Sequence, residues 1–172
     1  MSVMSKIVSA WSVPVAVDDI ADTGLRVDIE APAETRADIA KIAALRELPM
    51  LAASFELTKQ GPRVHLSGQV KATVGQTCVV TLEPIENQIE ESVDLVFAPP
   101  GTPPGKSGDP PEPLAGGAVD LGAVATEFLL LGVDPYPRKA GANFVAPAAD
   151  TDGPRPFAAL EVLKKRSRNK QS

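Results

Sequence analysis

From Arg63 to Val74 the chain alternates. Val64, Leu66, Val70, Ala72 and Val74 fall on one side; Arg63, His65, Ser67, Gln69, Lys71 and Thr73 fall on the other. A period of two over this length predicts a half-buried antiparallel strand, apolar towards a core and polar towards water. Gly68 takes an apolar-side position, which marks a bulge, a bend or a close backbone approach. After a connecting segment of about ten residues, 75–84, a second run sets Ile89, Val93, Leu95 and Phe97 against Gln88, Glu90, Ser92 and Asp94. Two long strands in this order predict a large hairpin or a broken meander.

Shorter patterns flank this pair. Residues 7–17 read as a first strand, bent or ended at Pro14, and residues 25–30 alternate as a second. Pro32 then stands where the first turn of a helix tolerates it, and Ile39, Ile42, Ala43 and Leu45 recur at helical spacing. The expected helix covers 33–47 and stops before Pro49. Residues 50–59 alternate again with Leu51, Ala53, Phe55 and Leu57 inward, and Gln60, Gly61 and Pro62 turn the chain. Residues 98–118 hold seven prolines and five glycines, a density that predicts a flexible loop. Beyond it Asp120 is a candidate N-cap, Leu121, Val124, Ala125, Phe128 and Leu131 form an apolar stripe, and Gly132 ends the helix. A last short helix is predicted from Pro156, with Phe157, Leu160 and Leu163 as its apolar side.

The expected class is therefore α+β. It is an antiparallel, strongly bent sheet, for which a partial barrel is one geometry, with a few packing helices and long Pro/Gly-rich loops. One domain spans 1–172, carrying the flexible loop 98–118 and a tail at 164–172. A hydrophobic content of 44% and a charged content of 23% suit a soluble globular chain. No apolar run approaches the roughly 20 residues that span a bilayer, and Lys6, Ser9, Ser12 and Pro14 interrupt any signal-like apolar segment. One cysteine excludes an internal disulfide. Together these features predict a cytoplasmic protein with no membrane partner.

Charge divides the chain. The tail holds Lys164, Lys165, Arg166, Arg168 and Lys170 without an acid, and its +5 leaves −10 on the rest of a chain whose net charge is −5. Glu83, Glu86, Glu90, Glu91 and Asp94 crowd the second long strand, and no Lys or Arg lies between Lys71 and Lys106. An acidic body does not coat nucleic acid, so any RNA contact must be local or carried by a basic protein. The dense cations are the tail residues, with Arg138 and Lys139 as a second candidate RNA contact.

Several motifs invite chemistry and fail on inspection. Gly101 to Ser107 imitates a phosphate-binding loop, but only three residues separate Gly101 from Gly105, and Pro103 and Pro104 have no N–H to offer a phosphate. Cys78 would need a base to act as a nucleophile, and His65 is the only histidine. One Cys and one His are too few for the usual structural zinc sets. Packing is the default for Cys78 and a solvated strand face for His65. The acidic strand reads as a charged outer face that discourages aggregation. Glu127, on an otherwise apolar helix, is placed to cap, to pair with Arg138 or to face water.

The residues between the two long strands also carry a resemblance. Cys78 opens a Cys-x-x-x-Leu-Glu-Pro segment completed by Leu82, Glu83 and Pro84, which is similar to that of the YceD-like family, the large ribosomal RNA subunit accumulation proteins. Many members carry a second cysteine where this chain has Thr81. Asp120, Glu127 and Pro137 match the family's C-terminal helix segment and the turn after it, and the likeness runs from about Ala10 to Arg166. The resemblance implies a ribosome biogenesis factor that supports accumulation of large-subunit ribosomal RNA by binding, without catalytic, cofactor or metal residues. It implies ribosomal RNA or a large-subunit assembly intermediate as partner, reached directly or through a basic ribosomal protein, and no small-molecule substrate. The alternatives are a small enzyme using an unrecognised carboxylate site and a non-ribosomal protein–protein adaptor.

Overall fold

A computed structural model describes residues 10–104, 110–114 and 116–144. The elements lie in one compact unit, Met1–Ala142; of a second unit, Asn143–Ser172, only residues 143–144 are described. The tail and the helix expected from Pro156 therefore lie outside the described residues, as do 105–109 within the Pro/Gly-rich stretch.

Five strands form the main sheet in the order β2 (Leu25–Glu30), β3 (Glu47–Gln60), β4 (Arg63–Thr77), β5 (Pro84–Ala98) and β6 (Glu112–Pro113). The first four pair antiparallel, and β6 joins the far end of β5 in parallel. Among the described residues the sheet does not close into a barrel, and α+β describes the molecule. A separate two-stranded ribbon pairs β1 (Pro14–Ala16) with β7 (Ala118–Asp120). The helices are α1 (Ala33–Ile42) and α2 (Leu121–Gly132). Among the described residues no helix is long and apolar enough to cross a membrane.

The alternation read from the sequence sets the core. Leu51, Phe55, Leu57, Leu66, Val70 and Val74 are buried on one face of the sheet. Each such side chain taken from water contributes on the order of 1.5–3 kcal/mol. Gly68 pairs with Phe55 on one side and Val93 on the other without a register slip, so close approach, not a bulge, is its role. A Cβ there would stand 2.2 Å from the Ser54 carbonyl oxygen and 2.8 Å from the Phe55 ring.

The first expected helix is shorter than its pattern. It ends at Ile42 in two bonds characteristic of a left-handed C-cap: Leu45 N–H donates to the Ala40 carbonyl at 2.9 Å and Ala44 N–H to that of Lys41 at 3.4 Å. Ala44 takes φ +54°, a position usually given to glycine, so no breaker in the sequence announces the stop. Pro49 then lies inside β3, where the register slips between Glu47 and Met50. An irregularity there lets a strand carry a residue without an N–H.

Three other expectations shift. Pro14 begins β1 instead of ending a strand: Val13 N–H is taken by the Asp120 carboxylate at 2.8 Å, and proline suits a strand's first residue. In α2, Leu129 is buried and Leu131 is 67% exposed, because Leu129 continues the face of Leu121 and Ala125 while Leu131 stands about 200° further round. The stretch 98–118 is not loop throughout. Ala98 is the buried end of β5, Leu114 N–H donates to the Ala98 carbonyl at 3.0 Å, and the Leu114 side chain packs against the core.

Candidate functional site

The hairpin is longer than the sequence pattern showed. β4 runs on to Thr77 and β5 begins at Pro84, paired with each other, so the connection shrinks to a knuckle over residues 78–83. Cys78 N–H donates to the Glu83 carbonyl, and Leu82 N–H donates back to the Cys78 carbonyl, each at 2.9 Å. Leu82 takes φ +59° to close this turn and leaves its side chain 76% exposed. The Leu-Glu-Pro run thus has separate duties: Leu82 turns the chain, Glu83 accepts, and Pro84 starts β5 opposite Thr77 where no N–H is required.

The turn after α2 packs against this knuckle. Val79 N–H donates to the Pro137 carbonyl at 2.9 Å, and Gln76 Nε2 donates to the Asp134 carbonyl at 2.8 Å. Gln76 is itself held by Asn87 Nδ2 at 3.0 Å. Lys139 Nζ meets Glu83 Oε2 at 3.0 Å, which holds the Glu83 carboxyl below its ordinary range. Pro137 is buried in the contact and Arg138 points to water. Sequence motifs about 60 residues apart therefore build one feature. Val79 and Tyr136, both exposed at its surface, had no signal in the sequence.

Cys78 sits at the centre, shielded from solvent. Its Sγ accepts from the backbone N–H of Lys139 at 3.3 Å and of Thr81 at 3.4 Å. Donors favour the thiolate, and they lower the thiol from 9.0 to about 6, with the Lys139 N–H first and Thr81 next. Thr81 turns its N–H to this sulfur while its hydroxyl accepts from Glu83 N–H at 3.4 Å. Cys78 thus has more than packing around it: two backbone N–H groups aim at its sulfur and favour the thiolate. His65 is no partner for it, since twelve residues of β4 lie between them, roughly 40 Å of extended chain. His65 instead meets Asp94 at 2.7 Å. Among the described residues no three Cys, His, Asp or Glu side chains converge as metal ligands.

The other family-motif residues have structural work. Asp120 accepts from Ala123 N–H at 3.1 Å as the N-cap of α2, and also from Val13 N–H and the Ser12 hydroxyl, tying β1 to the helix. Glu127 is exposed and, among the described residues, makes no ion pair with Arg138. Lys164, Lys165, Arg166, Arg168 and Lys170 lie outside the described residues.

The second feature is the polar face of the sheet. Cross-strand rows place Arg26, Glu56, Ser67 and Asp94 side by side, then Asp28, Ser54, Gln69 and Ser92, then Glu30, Ala52, Lys71 and Glu90. Glu86 extends the face towards the knuckle. Six carboxylates thus share it with three permanent cations, Arg26 and Lys71 in these rows and Arg63 at the start of β4. Ser54 hydroxyl donates to Asp28, and Lys71 meets Glu90 at 3.1 Å. These side chains stand in water, so the face offers charge over an area and not a desolvated acid or base.

A family model described as large ribosomal RNA subunit accumulation protein YceD matches residues 66–164, more than half of the chain. The matched span begins in β4 and holds the knuckle, β5, α2 and the turn that packs on the knuckle. No curated protein and no solved structure matches the chain.

Proposed function

We propose a binding role in building the large ribosomal subunit, and its premise is membership: this chain belongs to the YceD family, the large ribosomal RNA subunit accumulation proteins. The family name ties the chain to accumulation of large-subunit ribosomal RNA. On our reading it acts without catalysis, in the cytoplasm, as a rigid sheet that presents its acidic face to a basic ribosomal protein or assembly factor. The observation that carries this reading is the face itself, six carboxylates against three fixed cations on an exposed surface.

Charge complementarity of this kind speeds encounter and selects basic partners over acidic ones. It repels phosphate, so RNA contact falls to Arg138, exposed beside the knuckle, and to the five tail cations, with Lys139 contributing in exchange for Glu83. A carboxylate enzyme is the poorer reading, because an acid or base at neutral pH needs a desolvated carboxyl and these are exposed. The test is complementation. Cells lacking the chain should hold less large-subunit than small-subunit ribosomal RNA. The parent chain should restore the ratio, and a stably folded variant carrying Glu56→Gln, Glu90→Gln and Asp94→Asn should not. Full restoration by that variant would remove the face from the mechanism.

A further inference from the structure

Among the described residues the outer edge of β5 is a long stretch of unpaired backbone, and its orientation can be fixed residue by residue. Cys78 N–H donates to the Glu83 carbonyl, so positions 78 and 83 are a hydrogen-bonded rung. In an antiparallel ladder bonded and non-bonded rungs alternate. The register Thr77↔Pro84 through Val64↔Phe97 then directs the odd-numbered residues of β5 towards β4 and the even-numbered ones away from it. Two independent bonds agree with this phase. Leu114 N–H reaches the carbonyl of Ala98, an even residue, from the outer side. Arg46 N–H reaches the carbonyl of Gly75, which is directed away from β5.

The outward N–H and C=O groups therefore belong to Glu86, Gln88, Glu90, Ser92, Asp94 and Val96. β6 covers the edge at Phe97 and Ala98, and this parallel pairing engages the Val96 carbonyl as well. Among the described residues no strand pairs with the outer side of 86–94 and no backbone bond from another segment reaches it. That open edge is roughly 27 Å long at strand rise. Its outward residues are also those whose side chains lie on the polar face, so three of the five are acidic.

We infer that this edge takes up an extended, lysine- or arginine-rich protein segment as an additional strand. The mode is strand addition, in which main-chain bonds supply affinity and alternate side chains supply selection. Complementarity decides the occupant. A basic strand alternating in charge would set its cations opposite Glu86, Glu90 and Asp94, the pairing that favours a sheet. A second copy of this chain would not. An antiparallel β5–β5 pairing centred on Glu90 places Glu90 against Glu90 and Glu86 against Asp94, like charges directly opposed. RNA has no strand backbone to offer and its phosphates meet the same acids. The acids thus guard the edge against self-association and select a basic guest.

The inference rests on the reading of the acidic face as the protein-binding surface, and adds the mode and the site. The test uses the full chain and, as probe, a synthetic peptide of about ten residues alternating lysine with threonine or valine. Amide exchange followed by NMR is expected to show new protection at Gln88, Glu90, Ser92 and Asp94. The odd amides between them, already bonded to β4, should not change. Glu86→Gln with Glu90→Gln and Asp94→Asn should weaken the peptide by about tenfold. Ser92→Pro removes one outward N–H and no ladder bond. It should abolish the alternating protection while the thermal midpoint stays near that of the parent. If Ser92→Pro proves poorly folded, the charge-neutral variant alone decides. Peptide binding without edge protection, or with equal affinity for the charge-neutral variant, would overturn the inference. Edge protection in a chain that does not restore ribosomal RNA would leave the edge standing and overturn the proposed function. Full restoration by Ser92→Pro would do the reverse.

Discussion

Replacing Lys139 by proline isolates what favours the Cys78 thiolate. The largest contribution to that state is the Lys139 backbone N–H, 3.3 Å from Sγ, and it lowers the thiol from 9.0 to about 6 together with Thr81. One unit above such a value, at pH 7, thiolate outnumbers thiol by about ten to one; a thiol at 9.0 would be about one per cent ionised. Lys139→Pro deletes the N–H, whereas Lys139→Ala keeps it and removes only the ion pair with Glu83. Cys78 is the sole cysteine, so the ultraviolet absorbance of thiolate in the full chain has one source. The parent and Lys139→Ala should titrate near 6, and Lys139→Pro should move well up towards 9. The linkage has a definite sign. A folded-state value below the unfolded one contributes stability that is fully present above about 9 and is lost as pH falls through about 6. The urea midpoint should therefore rise between those pH values in the parent and gain less in Cys78→Ser. A parent titrating near 9, or a proline variant titrating with the parent, would refute the reasoning.

Three further outcomes follow from the packing. Gly68→Ala should cost about 3 kcal/mol in urea unfolding, since the new methyl meets the Ser54 carbonyl of the paired strand at 2.2 Å; a loss under about 0.5 kcal/mol would deny the close approach. Ala44→Gly should stabilise by about 0.5–1 kcal/mol by relieving φ +54° at the end of α1, and a destabilised variant would contradict that cap. Asp120→Ala should cost about 2 kcal/mol, because the N-cap bond and the bond from Val13 N–H are lost together; calorimetry with Asp120→Asn, which keeps one acceptor, should give a smaller loss.

Local patterns were legible where one residue type carries the physics. Strict alternation marked β2 and both faces of β4, Gly68 signalled a bulge, a bend or a close approach, of which the last holds, and Asp120 declared the start of α2. The end of α1 was not legible, because an alanine takes the left-handed position that a glycine would have advertised. Pro49 looked like a boundary and is a strand residue beside a register slip. Leu131 and Leu129 are identical in type, and only the register of α2 on the sheet tells them apart.

The site was half legible. The resemblance singled out Cys78, Leu82, Glu83, Pro84 and Pro137, yet the donor that matters most to the thiol is a backbone N–H some sixty residues away. Every residue but proline owns such a group, so no side-chain pattern encodes it. The acidic crowding of β5 was visible from composition. That its acids stand on the residues with outward backbone groups depends on the phase of the ladder, which one bond at the knuckle sets.

The most direct test of the central claim is sedimentation of the full chain with large-subunit precursors on a density gradient. The parent should travel with precursor large subunits and not with small subunits. The variant Glu56→Gln, Glu90→Gln, Asp94→Asn, with an unchanged thermal midpoint, should remain near the top. A parent chain that stays at the top, or a face variant that sediments as the parent does, would contradict recruitment through the acidic face.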